Sequence, residues 1–234
     1  MEIPLFKNLH QNTTGNDEKK KIHFCHNAYG NRDVSDNWHW FNHLLVSPDS
    51  ERLLFLHRWR PEILETQLMA RTGFVTRMIT ANTDGSDLYV ADPSGNSSHF
   101  IWRDPAHIFV WTKPIDQKAG FWLLKDQTEE MTLIGEGIMT GNGHNTYVPQ
   151  TNNEWVLNDT YPNKEREMTL YLYHIPSKKK VILGKFYSPQ RYFGEWRCDL
   201  HPRCDQQGKR VFFDSTHEGK RQMYCLDISH IVGT

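Results

Sequence analysis

HLLVSPDSERLLFLHRW, running from His43 to Trp59, is the stretch on which the fold turns. A histidine opens a short apolar run, a Pro-Asp-Ser turn interrupts it, and a hydrophobic strand returns. The same order comes back in HFIWRDPAHIFVWT from His99, HNTYVPQTNNEWVLNDT from His144 and HPRCDQQGKRVFFDST from His201. Between these copies lie further strand pairs, such as TRMITANTDGSDLYVAD and MTLYLYHIPSKKKVILG. Units of about fifty residues, each holding about four short strands, are the signature of propeller blades. A β-sandwich of regular hairpins would supply strands and turns as well. It gives no reason for the histidine, the turn and the strand to recur in one register. The expectation is an all-β propeller with about four recognisable blades, at residues 37–92, 93–137, 138–194 and 195–232. Ahead of them, residues 1–36 read as a polar segment with at most one strand, at Lys21–His26. PEILETQLMAR, Pro61 to Arg71, is the one fair helix candidate.

Composition narrows the classes. The chain has 234 residues, with Lys+Arg 27 against Asp+Glu 28. That balance excludes a broad cationic surface for nucleic acid or anionic membrane. No run of apolar residues is long enough for a transmembrane helix, and the N-terminus lacks a secretory core. Four cysteines, Cys25, Cys198, Cys204 and Cys225, form no CxxC pair and read as reduced thiols, which points to a cytoplasmic setting. There is no GxSxG, Walker loop or HExxH, and the glycine-rich GEGIMTGNGH lacks a strand-to-helix context, so it reads as a loop leading to His144.

The first strand of a propeller blade runs beside the central channel, so equivalent residues of successive first strands ring the axis. His43, His99, His144 and His201 occupy equivalent positions, each four residues ahead of its turn (Ser47, Arg103, Val148, Asp205). One inward imidazole is usually a satisfied core residue. Four at one depth make a site for a transition-metal ion. Asp199 stands two residues before His201, on the same side if that stretch is extended, and is a candidate carboxylate ligand. His57, His107, His174 and His217 read as structural, while His39 could join the cluster, although alternation from His43 gives it no better place than the neighbours of Asn42. Arg58, Arg60, Arg77, Arg103, Arg197 and Arg203 gather on the same elements, and guanidinium groups above a metal would suit an anionic ligand held bidentately.

WFNHLLVSPDSERLLFLHRW, TRMITANTDGSDLYVAD, SHFIWRDPAHI, GHNTYVP with LNDTYP, and WRCDLHPRC with GKRVFFDSTHEGKRQMYCLDI resemble the oligogalacturonate lyase family and its propeller relatives, from about Trp38 to Asp227. The resemblance implies a seven-bladed propeller that cleaves short pectin-derived uronides by β-elimination. It also implies a divalent ion, manganese in type, held mainly by histidines. On this chain the implied metal positions are His144 and His201, with His43 and Asp199 as further candidates. The implied base is His99, and the arginine that meets the substrate carboxylate is Arg77, Arg103 or Arg58. Two departures stand out. Trp196 and Asp199 occupy places where members of that family carry ligands, and four blades are counted where the family has seven. An incomplete ring would expose sheet edges and favour self-association. The alternative function is a non-catalytic propeller module that binds a glycan, metabolite or protein.

Overall fold

The computed structural model describes residues 38–60 and 74–233. The strand expected at Lys21–His26 and the helix expected at Pro61–Arg71 lie outside them. The described residues form four antiparallel sheets. The first holds β1 (Trp38–Val46), β2 (Arg52–Arg60), β3 (Val75–Asn82) and β4 (Tyr89–Asp92). The second holds β5 (Phe100–Asp104), β6 (His107–Thr112), β7 (Gly120–Lys125) and β8 (Met131–Ile134). The third holds β9 (Thr146–Tyr147), β10 (Trp155–Asn158), β11 (Glu167–His174) and β12 (Lys179–Tyr187). The fourth has three strands, β13 (Arg203–Cys204), β14 (Arg210–Ser215) and β15 (Gln222–Asp227), followed by a single helical turn, α1 (Ser229–Val232). Within every sheet the strands lie in chain order, so each sheet is a meander and the four are propeller blades.

The strands read as nearly continuous apolar runs because both of their faces are covered. From β2, Leu54 and Leu56 point toward the second sheet and pack with Met78, Trp102, Ile108, Val110, Trp122 and Leu124. Leu53 and Phe55 alternate to the other face and cluster with Ile79 and Ala81. Phe109 and Phe121 of the second sheet meet Val156, Tyr171 and Tyr173 of the third. Leu157, Leu170 and Leu172 of the third meet Val211 and Phe213 of the fourth. The core is therefore a series of apolar layers between neighbouring blades.

A buried ion pair also ties the first blade to the second. Arg52 Nε donates to Asp126 Oδ2 at 2.9 Å, and its Nη2 donates to Thr80 Oγ1 at 2.9 Å. Thr80 Oγ1 in turn donates to Asp126 Oδ1 at 2.6 Å. Arg52 Nη1 reaches Asn82 Oδ1 at 2.8 Å and Asp87 Oδ2 at 3.1 Å, so the whole guanidinium fork is engaged.

His57, read from the sequence as structural, is buried on β2. Arg77 Nε donates to its Nδ1 at 2.9 Å, which leaves Nε2 to donate to His39 Nδ1 at 2.8 Å. Burial, then Arg77, then His39 push the His57 pKa down to about 2. In the unfolded chain an imidazole titrates near 6.5. Between those values the unfolded state binds the extra proton, so stability is complete above about pH 6.5 and is lost as pH falls. The limiting slope is about 1.4 kcal/mol per pH unit. The melting temperature should therefore drop as pH goes from 7 to 5, and His57→Phe should flatten that slope. An unchanged slope in the variant would show that other groups govern the acid limb.

Cys198, Cys204 and Cys225 are free thiols, and burial raises the pKa of Cys204 to about 12. Among the described residues no helix is long and apolar enough to cross a membrane.

Candidate metal centre

The four histidines in register reach one place. His43 lies on β1, His99 immediately before β5, and His144 and His201 each two residues before β9 and β13. All four line a single cavity of about 430 Å³, together with Arg58 and Arg203. His144 is at the centre, its ring centroid 4.2 Å from that of His99 and 3.9 Å from that of His201. Two of these residues have strained backbones. His43 has φ 55 and His201 has φ 43, a left-handed region that costs an L-residue roughly 1–2 kcal/mol. For His43 the cause is a bulge in the β1–β2 register between Asn42 and Leu45, which turns the imidazole toward the cavity.

Three donors are close enough to share an ion. Ligand atoms of His144, Asp199 and His201 all lie within 4.8 Å of one another. Two bonds of about 2.1 Å meeting at one ion span at most about 4.2 Å, so a slight inward turn of the side chains would bring all three onto it. The supporting groups fit. The His144 main-chain N–H donates to Asp159 Oδ1 at 2.6 Å, and its Nδ1 lies 3.0 Å from Asp159 Oδ2. Asp159 is buried and its carboxylate can only accept, so Nδ1 carries the hydrogen and donates it, leaving Nε2 with a lone pair. Gly143 makes this approach sterically feasible, since a Cβ there would stand 2.0 Å from the Asp159 carbonyl oxygen. On Asp199, Oδ2 accepts from Arg197 Nη2 at 2.8 Å, while Oδ1 is buried without any hydrogen-bond partner. A buried, unpartnered oxygen on a carboxylate clustered with two imidazoles is costly unless a cation completes it. The residues present thus fit a divalent ion, with two nitrogen donors and one carboxylate.

His43 stands on the cavity wall but is not one of these three donors. His99 is also outside the trio. Its Nδ1 lies 2.9 Å from Asn142 Oδ1 and so carries the proton, leaving Nε2 as acceptor for the Tyr161 hydroxyl at 3.3 Å. Burial first, then His144, lower the His99 pKa to about 4, so the ring is neutral at physiological pH. Burial, Arg58 and His144 lower that of His43, and burial and His144 lower that of His201. Burial and Asp199 raise Tyr161 to about 12.

The arginines sort differently from the sequence expectation. Arg77 is fully buried in the first sheet against His57 and the Trp59 ring, and Arg103 pairs with Asp104 at 2.7 Å, so neither lines the cavity. Alternation explains Arg77, because it shares the face of β3 with Ile79 and Ala81, away from the second blade. Arg58 and Arg203 line the cavity instead. Arg58 Nε is spent on Thr76 Oγ1 at 3.1 Å, and its guanidinium lies 4.8 Å from the Phe74 ring centroid. Asp159 and Tyr161 were not singled out from the sequence. Their signal was the LNDTYP segment, which begins on β10, the strand paired with β9 just beyond His144.

No family model and no curated protein matches the chain. Solved structures do resemble it. An oligogalacturonate lyase from Vibrio parahaemolyticus superposes with a TM-score of 0.59 at 18% identity, over 81% of this chain and 49% of that one. A TolB-type protein from Agrobacterium tumefaciens gives 0.52 at 15% identity, over 82% of this chain and 60% of that one. An acylaminoacyl peptidase from Pyrococcus horikoshii gives 0.52 at 7% identity, over 81% of this chain and 31% of that one. This chain spans about half the length of the lyase. What a lyase, a TolB-type protein and a peptidase have in common here is the blade architecture, and in fold this chain is a β-propeller.

Proposed function

We propose that this propeller binds short 4-linked uronides and cleaves them by metal-assisted β-elimination. The observation that carries the reading is the His144, Asp199 and His201 donor set, with Asp199 Oδ1 buried and unpartnered. These three residues would hold a divalent ion, manganese in the first instance, since imidazole with carboxylate suits it. When bound, the ion supplies a Lewis acid for the substrate carboxylate and so stabilises charge developing at the neighbouring carbon.

The chain's own residues do the rest. Arg58, half-buried on the cavity wall with one edge anchored on Thr76, places fixed positive charge where a uronate carboxylate would sit. Arg203 faces the same cavity from the fourth blade and suits a second carboxylate along an acidic oligosaccharide. His99 is neutral, and Asn142 orients it so that Nε2 can take the proton beside the carboxylate.

The test is to incubate the protein with Mn²⁺ and a panel of short 4-linked uronides and to follow ultraviolet absorbance of the conjugated double bond. Enzyme-dependent signal with any member of the panel is the expected result. Saturable binding without signal would replace this reading with a non-catalytic binding module.

A further inference from the structure

We propose that Tyr161 and His99 make both proton transfers from one side of the sugar, which selects uronides whose C5 hydrogen and C4 oxygen lie on the same face. The inference rests on the elimination reading above and narrows its substrate.

Tyr161 lies between β10 and β11, and its hydroxyl is 3.3 Å from His99 Nε2. Its ring is held in place on both sides. The centroid lies 5.9 Å from that of His99 and 6.0 Å from that of His144, and the Arg197 guanidinium covers it at 5.0 Å. Because His99 Nδ1 keeps its hydrogen and donates it to Asn142 Oδ1, Nε2 has no hydrogen of its own and the proton between it and the phenol belongs to the oxygen. The pair therefore presents one base and one acid, side by side.

Elimination from a 4-linked uronide needs both. The C5–H bond breaks and its proton passes to His99 Nε2, while the electron pair forms the C4–C5 double bond. The C4–O bond breaks with its electrons on oxygen, and that oxygen takes the Tyr161 proton, so a sugar alcohol departs instead of an alkoxide. What remains is an imidazolium beside a phenolate, and transfer of the proton from Nε2 to the Tyr161 oxygen restores both groups. No oxidant, reductant or water is consumed.

The short separation sets the stereochemistry. If the hydrogen and the leaving oxygen lie on opposite faces, base and acid must flank the ring, much farther apart than one hydrogen bond. Two groups 3.3 Å apart can serve only a same-face pair. Uronides of gluco or manno configuration have that arrangement, whereas galacto-configured ones carry the two on opposite faces.

The experiment compares Mn²⁺-loaded wild type and Tyr161→Phe on oligoglucuronate, oligomannuronate and oligogalacturonate, by product absorbance, with Mn²⁺ affinity measured by calorimetry in parallel. Wild type should cleave a same-face uronide at least tenfold faster than oligogalacturonate. Tyr161→Phe should lose about 10²–10⁴ in kcat with Mn²⁺ affinity unchanged, which reports an intact centre. Preference for oligogalacturonate, or full activity in Tyr161→Phe, overturns this inference and leaves the elimination reading standing. No product from any of the three overturns both. A Tyr161→Phe variant that loses activity together with Mn²⁺ binding overturns the proton-transfer role, since the tyrosine would then be supporting the centre.

Discussion

His144→Ala should abolish Mn²⁺ binding. Among the described residues, His144 links the parts of the centre to one another. Its ring lies between those of His99 and His201, its Nδ1 and main-chain N–H both engage Asp159, and it is one of the three clustered donors. Truncation removes a donor and leaves the Asp159 carboxylate, with a side chain only 2% exposed, without its imidazole partner. Asp199→Asn should act in the same direction. It keeps the shape but removes the negative charge from the buried oxygen that no protein group satisfies. Asp159→Asn should be milder, about 10- to 100-fold in affinity, because it disturbs the orientation of His144 without removing a donor. Calorimetric titration with Mn²⁺ gives all three values. Undiminished affinity in His144→Ala would mean that the clustered donors are not a metal centre, and the proposed chemistry would fall with them.

The second large effect concerns folding. Asp126→Ala should destabilise the protein by about 3 kcal/mol, the lower end of what breaking a buried ion pair costs. Arg52 and Asp126 have side chains only 10% and 6% exposed, so removing the carboxylate strands a charge between two blades. The lower end applies because Arg52 keeps Asp87, Asn82 and Thr80. The paired replacement Arg52→Met with Asp126→Leu should cost much less than Asp126→Ala alone. With both charges gone, the apolar layer between the blades can close over the site. Denaturant unfolding of the two variants decides this. If the double variant is as unstable as the single one, the pair contributes through its net attraction and not merely by avoiding a stranded charge.

Both predictions depend on residues that were legible in the sequence to different degrees. The repeated order of histidine, turn and strand defined the blades, because each blade must bury both faces against neighbours and so repeats one apolar pattern. The register of those histidines pointed to one shared cavity, and they line one, with a bulge at His43 and left-handed backbones at His43 and His201 completing the convergence. Asp199 does cluster with His144 and His201, although the extended stretch on which its two-residue offset was argued is absent, since His201 is left-handed.

Period and register could not assign roles among these side chains. Arg77 and Arg58 lie on adjacent, paired strands of one sheet, and both had been candidates for the substrate carboxylate. Pairing between β2 and β3 turned Arg58 to the cavity and Arg77 into the blade, because successive side chains on a strand point to opposite faces. Asp159 and Tyr161 come from the segment after β10. The LNDTYP string marks that segment without assigning a role to either residue, and the packing of the third blade is what brings their oxygens to His144 and His99. Sequence alone determined the blade repeat and gave the histidines equivalent places in it, because both follow from the length of a blade. Which histidines cluster with Asp199, which ring nitrogen is left as an acceptor and which arginine lines the cavity were decided by strand pairing and by hydrogen bonds between distant segments, and those exist only once the blades have packed.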